Sequence, residues 1–268
     1  MVWHQGRDVE QYLAAAGDLL FGAPAQHTVA LTVCENARAH DDGTLFAWWQ
    51  EDDLEVTGCV SRTPPYPVLI GVLPDAAMAP LLDLWDVDAV GGPTAQATQL
   101  AALAARRRGG TARLRSAERL FTLGELTHPE APGQARLADE GDTALIVAWF
   151  EAFIAEAGVL PQDAAAMVRD RLSYQGFVLW DDHGPVALAG HSRKAFHGIR
   201  IGPVYTPPEH RGQGYGGAVT AAAAARALEL GAWEVCLFTD LTNPTSNALY
   251  PRLGFEPVSD RAVFEISG

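Results

Sequence analysis

The sequence predicts an α/β (α+β) protein in two successive lobes, with a ligand site in the second. Three observations carry this. Helical and strand periodicities alternate along the chain. A stretch with two prolines and a glycine, THPEAPGQAR (127–136), separates one series of elements from the next. Four glycines crowd into EHRGQGYGG (209–217), directly before an alanine-rich helical stretch. Each glycine loses backbone freedom when the chain orders, so such a run needs a reason beyond a turn.

In the first lobe, expected over 1–126, helices are predicted at 8–22, 23–40, 74–85 and 92–110. Two strands are predicted around the acidic turn EDD within 43–64, with further strands at 66–74 and 112–126. Residues 127–134 are the expected linker. The second lobe, 135–268, starts with a strand and continues with helices at 143–158 and 161–176, the second opening at Pro161. A hairpin around DDHG follows (177–196), then a strand at 198–207 and the alanine-rich helix ending at Gly231. A strand (233–240), a short helix (243–254) and a final strand (255–266) complete it.

Composition narrows the function. Of 268 residues, 48% are hydrophobic and 19% charged, a globular balance with enough apolar content for a core. The formal net charge of −14 argues against a nucleic-acid partner, which would require clustered Lys and Arg. The nearest basic patch, Arg106 to Arg108, closes a predicted helix and complements its dipole. Cys34, Cys59 and Cys236 form no C-x-x-C pair and read as buried free thiols. His4, His27 and His40 lack metal-ligand spacing, so no metal is expected. No apolar stretch approaches 18 residues and no signal-like start is visible, so the expectation is a cytoplasmic protein without a membrane partner.

Three readings compete for the glycine run. A bare structural turn does not require four glycines. Gly212, Gly214 and Gly217 satisfy G-x-G-x-x-G, with Asp240 downstream for a ribose, but TPPEH separates the preceding strand from Gly212, whereas a dinucleotide fold closes the strand directly on its glycines. A Walker loop fails because no Gly-Lys-Ser/Thr follows. The third reading is a pyrophosphate cradle: backbone N–H groups of a glycine turn converge on an anion, and a helix N-terminus adds its dipole.

Arg211-Gly212-Gln213-Gly214-Tyr215-Gly216 fits R-x-x-G-x-G after a strand and resembles motif A of the GCN5-related N-acetyltransferases (GNAT). LTNPTSNALYPRLGFEPV (241–258) resembles motif B of the same family, N-x-x-x-N-x-x-x-Y-x-x-x-G-F. In it Asn243 is a plausible N-cap and Pro244 a first-turn residue, and the spacing of Asn243, Asn247 and Tyr250 predicts one shared helix face, with Leu249 and Leu253 on the apolar side.

The resemblance implies a mixed central sheet flanked by helices, in which strand 198–207 splays from strand 233–240. It implies acetyl-CoA as cosubstrate. Val204, Tyr205 and Thr206 would border the pantetheine arm, and Arg211, Gly212, Gln213, Gly214, Tyr215, Gly216 and Gly217 would hold the pyrophosphate. Asn243 and Asn247 would contact the arm, and Tyr250 would protonate the leaving thiolate. His191, Glu209 and Asp240 are the candidate general bases, each with a structural or solvated role as the alternative. The first lobe lacks both motifs, yet its mixed elements and GGPTAQATQLAALAARR helix suit a degenerate copy of the fold; an unrelated cap is the alternative. RLFTLGEL (119–126) resembles the junction of two-lobed bacterial members. The function implied is acetyl transfer to a primary amine of a small molecule or peptide; the alternative is a non-catalytic acyl-CoA sensor. Acceptor and oligomeric state have no signal in the sequence.

Overall fold

The computed structural model describes residues 1–40, 43–51, 55–157 and 163–268. Asp52 and Asp53 of the expected acidic turn, and the expected helix start at Pro161, lie outside the described residues. The first ten elements are β1 (Val2–Gly6), α1 (Val9–Phe21), α2 (Thr28–Ala39), β2 (Leu45–Gln50), β3 (Val56–Arg62), β4 (Val68–Val72), α3 (Asp75–Leu84), β5 (Ala89–Pro93), α4 (Thr94–Arg108) and β6 (Thr111–Leu123). The next ten are β7 (Gln134–Leu137), α5 (Thr143–Ala157), α6 (Ala164–Leu172), β8 (Phe177–Asp181), β9 (Pro185–His191), β10 (Gly198–Tyr205), α7 (Tyr215–Glu229), β11 (Glu234–Asp240), α8 (Pro244–Leu249) and β12 (Phe255–Ser267).

Among the described residues the order β-α-α-β-β-β-α-β-α-β therefore occurs twice. Two strands of the first series, β1 and β5, escape the sequence reading. β5 reads AVGGP, and two glycines with a proline are a turn signal unless a neighbouring strand supplies the ladder. β1, VWHQG, is five residues long and mostly exposed, so no hydrophobic alternation marks it.

The chain forms two compact units. Unit 1 comprises Met1–Leu120, Thr239–Asn243 and Val258–Gly268, and unit 2 comprises Phe121–Phe238 and Pro244–Pro257. This departs from a single division at 127–134, because the end of the chain completes the sheet of unit 1. There β12 lies antiparallel to β5, from Arg261↔Pro93 to Glu265↔Ala89. Arg119 ties to Asp260 at 2.7 Å, and Arg113 and Arg115 both reach Glu265. Nor do residues 127–134 form an open linker. Thr127 N donates to Leu253 O, Trp180 Nε1 donates to Pro132 O at 2.6 Å, and Ala131 packs against the core of unit 2.

The core of unit 1 is built from Trp49, Ile70, Leu81, Trp85, Val90 and Leu100. Its parallel pair, β4 with β5, is registered at Val68↔Val90 and Leu69↔Gly91, and a Cβ on Gly92 would lie 2.6 Å from Ile70 Cβ, so only glycine permits this approach. The turn from β4 into α3 is Leu73-Pro74, with no glycine in it. Arg107 and Arg108, expected to serve the α4 dipole, also pair with Asp83 and Asp86. Cys34, Cys59 and Cys236 form no disulfide and are buried, and burial pushes the Cys34 thiol up to about 12.

In unit 2, β7, β8, β9, β10 and β11 follow one another in the sheet. One core gathers Phe121, Ile199, Ile201, Val219, Leu237, Tyr250 and Phe255; another gathers Ile146, Phe150, Phe177 and Leu188. The alanines of α7 let it press closely on the sheet, with Ala218, Ala221, Ala223, Ala224 and Ala227 all buried. α6 is capped by Asp163, whose carboxylate accepts from Ala166 N at 2.9 Å. No helix among the described residues is long and apolar enough to cross a membrane, and none of their His, Cys, Asp and Glu form a group able to hold a metal ion.

Candidate active site

The site begins where a ladder stops. β10 pairs in parallel with β11 from Gly198↔Glu234 to Ile201↔Leu237, and no further. On its other edge β10 carries a bulge: Ile201 faces His191 and Val204 faces Ala189, three residues against two. The extra residue breaks the period-two alternation, so Ile201 and Val204 join the same core although they are three apart. Gly202 sits inside the bulge at φ 148°, which glycine alone adopts readily. Residues 202–205 are thereby released from β11, which is the splay that the resemblance implied.

The chain then turns through Pro208–His210 into the glycine run. Gly212 (φ 77°) and Gly214 (φ 87°) are both left-handed. Gly214 is the N-cap of α7, and no side chain caps this helix, so the first-turn N–H groups keep their dipole-aligned donors. The other glycines have different reasons. A Cβ on Gly216 would lie 3.4 Å from Thr206 Oγ1. On Gly217 it would lie 3.1 Å from Leu249 Cδ1 and 3.5 Å from Pro129, so Gly217 serves packing.

Side chains around the turn are already engaged. Arg211 donates through Nε to Thr206 O at 2.9 Å and pairs with Glu156 of α5 at 2.7 Å. Tyr205, 6% exposed, donates its hydroxyl to Glu156 Oε1 at 3.3 Å and lies 6.3 Å from the Trp149 ring. Tyr215 is buried and donates to the Asp182 carboxylate in the β8–β9 turn; that bond, then burial, holds its phenol above the ordinary value. Gln213 Oε1 stands 3.3 Å from the same hydroxyl. The positive charge of Arg211 is thus compensated by Glu156, and what the turn offers an anion is backbone amide.

The helix that follows β11 differs from the expected single face. The α-helix covers Pro244–Leu249, Asn243 precedes it, and Tyr250 opens a 3₁₀ turn to Leu253. Continuous 3.6-residue spacing therefore does not link the three. Asn243 is exposed, with its N–H on Asp240 O at 3.0 Å; Asn247 is half-buried; Tyr250 is 6% exposed between Phe121 and Phe255, each 6.1 Å away in edge contact. Burial raises the Tyr250 pKa, with Ser246 as an opposing hydrogen-bond partner. The phenol keeps its proton at neutral pH, as a general acid must.

The three candidate bases separate. Asp240 accepts from Thr242 N and Oγ1, both at 2.6 Å. His191 is 1% exposed, with Nδ1 2.9 Å from Ser192 O. Glu209, exposed in the turn between β10 and the glycines, makes no hydrogen bond or ion pair among the described residues. Desolvation lowers the His191 pKa from its ordinary 6.5. A group with a depressed folded pKa contributes stability above its unfolded value and loses it as pH falls. Thermal stability is therefore expected to drop on acidification below about pH 6.5, and less steeply in His191→Gln; parallel melting curves across that range would show that His191 carries none of the effect.

The parallel strand that opens beside an uncapped helix N-terminus, entered through left-handed glycines, is the candidate active site. Residues 143–255 match the model of the Acetyltransferase (GNAT) family, which supports an acyltransferase. Among solved structures the chain is similar to a GCN5-related N-acetyltransferase from Sphaerobacter thermophilus, at 17% identity over 98% of this chain and 94% of that one (TM-score 0.65). A GNAT-family acetyltransferase from Colwellia psychrerythraea is 12% identical over the whole of both chains (TM-score 0.63). A tandem GNAT protein from the clavulanic acid biosynthesis pathway is 13% identical over 98% and 97% (TM-score 0.58). These identities speak for a shared fold. No curated protein sequence matches the chain.

Proposed function

We propose that the protein transfers an acetyl group from acetyl-CoA to a primary amine of a small molecule or peptide, using one site formed by β10, the glycine turn and the segment after β11. The observation that carries this is the end of the β10–β11 ladder at Ile201↔Leu237, next to the uncapped start of α7. The residues fit the cosubstrate. The turn at Gly212 and Gly214 leaves amides without side-chain competitors, which suits a pyrophosphate. The released edge at Val204, Tyr205 and Thr206 suits a chain that pairs like an added strand.

When bound, acetyl-CoA supplies an activated acyl group on a good leaving thiolate. The chain's part is to hold both reactants together, which removes much of the entropic barrier, and to manage protons. Tyr250 holds a proton in a dry pocket and donates it as the thiolate departs. Glu209, exposed on the loop between the open strand and the turn, is assigned as the base, with His191 and Asp240 as the alternatives. Asn243 and Asn247 are assigned to the pantetheine arm. Unit 1 is read as a copy of the fold without a cradle, since its β4–α3 turn, Leu73-Pro74, has no glycine.

Calorimetry should find one CoA per chain, and two occupied sites would refute the reading of unit 1. An amine and peptide panel followed by thiol release tests transfer. Tyr250→Phe keeps the ring between Phe121 and Phe255, so CoA affinity should persist while kcat falls about 10²-fold, with KM little changed. Wild-type turnover in this variant would remove Tyr250 from the mechanism. Tight CoA binding with no transfer across the panel would instead favour a sensor.

A further inference from the structure

Arg171, on the last turn of α6, sends its side chain into unit 2 rather than to solvent. Its guanidinium lies 5.7 Å from the Phe177 ring centroid and 6.0 Å from that of Phe150. It donates through Nη1 to the carbonyl of Gly202, the residue inside the β10 bulge. Asp170, its neighbour in sequence, pairs with Arg193 instead. Burial lowers the Arg171 pKa, which marks the cost of placing a cation between two phenyl rings.

The sheet makes room for this contact. A Cβ on Gly190 would lie 2.7 Å from Arg171 Nη1 and 3.1 Å from Gly202 O, so a side chain there would displace the guanidinium. Apolar residues could fill the space between Phe150 and Phe177 at lower cost. What they could not do is satisfy a carbonyl that the bulge removes from the β9 ladder. We propose that Arg171 is a positioning residue: through the Gly202 carbonyl it fixes the bulge in β10, and with it the course of Val204–Thr206. The consequence for catalysis rests on the reading of those residues as the edge that receives the thioester arm. A strand edge displaced by a fraction of a residue would still bind CoA through the glycine turn, but would present the acetyl group badly.

The test compares Arg171→Met, Arg171→Lys and, as a control, Arg193→Met. Hydrogen exchange is followed peptide by peptide, with calorimetry against CoA and, on any acceptor from the panel, steady-state kinetics. In Arg171→Met, exchange should rise about tenfold across 202–206 while β8 (177–181) stays protected. CoA affinity should stay within about threefold, and kcat should fall roughly 10- to 100-fold. Arg171→Lys, which retains a donor, should restore part of the protection, and Arg193→Met should leave all three readouts as in the wild type. If Arg171→Met does not fold, Gly190→Ala, which dislodges the guanidinium but keeps it, should give the same exchange pattern. Exchange rising equally in α5, α6 and β8, or unchanged at 202–206, overturns the proposal. A wild-type chain that ignores CoA would sink the acetyl-CoA reading, while exchange alone still decides whether Arg171 holds the bulge.

Discussion

Gly214→Val is expected to abolish measurable CoA binding in a protein that remains folded. A Cβ at Gly214 has room, since its nearest neighbours, Ala131 Cβ and Glu130 O, would both be 3.7 Å away. The obstacle is φ 87°, where an L-residue pays about 1–2 kcal/mol and a β-branched one pays more. That strain is small beside a typical global stability of about 5–15 kcal/mol, so the turn changes shape and the domain survives. The changed turn no longer aims its amides at one point. Losing two hydrogen bonds to a charged group, at about 1.5–3 kcal/mol each, weakens binding by on the order of 10²–10⁴-fold. Gly109→Val is the matched control: it stands at φ 69°, with nothing within 4 Å of the added Cβ, at the end of α4 in unit 1. It should cost similar stability and leave CoA affinity intact. Calorimetry on both variants decides the matter, and CoA bound by Gly214→Val within threefold of wild type would show that the turn does not hold the pyrophosphate.

A chain shortened to residues 130–268 is expected not to fold, although it spans the matched family segment. The cut removes β6, and with it Phe121, which is 3% exposed in the core that holds Tyr250 and Phe255. It also leaves 258–268 without the sheet of unit 1, uncovering Ala262, Phe264 and Ile266 and stranding Asp260 and Glu265 from their arginines. Each large apolar side chain returned to water forfeits about 1.5–3 kcal/mol, and a few of these consume the stability of an ordinary domain. The fragment should show no cooperative melting transition. A soluble fragment with a sharp transition that binds CoA like the full chain would contradict this.

What could be read in the sequence was local. The glycine run, the DDHG hairpin and the proline at the start of α8 all act within a few residues, so they are visible in one dimension. The order of the second series was legible because its helices and strands are long and periodic. β1 and β5 were not, because their ladders come from other parts of the chain. The same distance hides the end of the β10–β11 pairing, which is a matter of register between strands. It hides the engagement of Arg211 by Glu156, which a motif reading assigns to the ligand, and of Tyr215 by Asp182. It also conflates the glycines: Gly212 and Gly214 are needed for φ and Gly217 for the approach of Leu249, and these three look alike in the sequence. Arg171 carried no signal at all, since only the bulge gives its contact meaning.

The pairing of β12 with β5 sets the order in which the protein can mature on the ribosome. Val90 finds its partner in Phe264, on the far side of unit 2 in sequence. Residues 1–120 are synthesised before β12 and cannot complete their sheet until it emerges, so the edge of β5 waits open in the interval. Such an edge invites mispairing, and β5 answers it with Gly91, Gly92 and Pro93, a short and weakly strand-forming stretch that holds little attraction for other chains. Emergence of β12, rather than of the residues before it, is then the event that commits unit 1 to its native form.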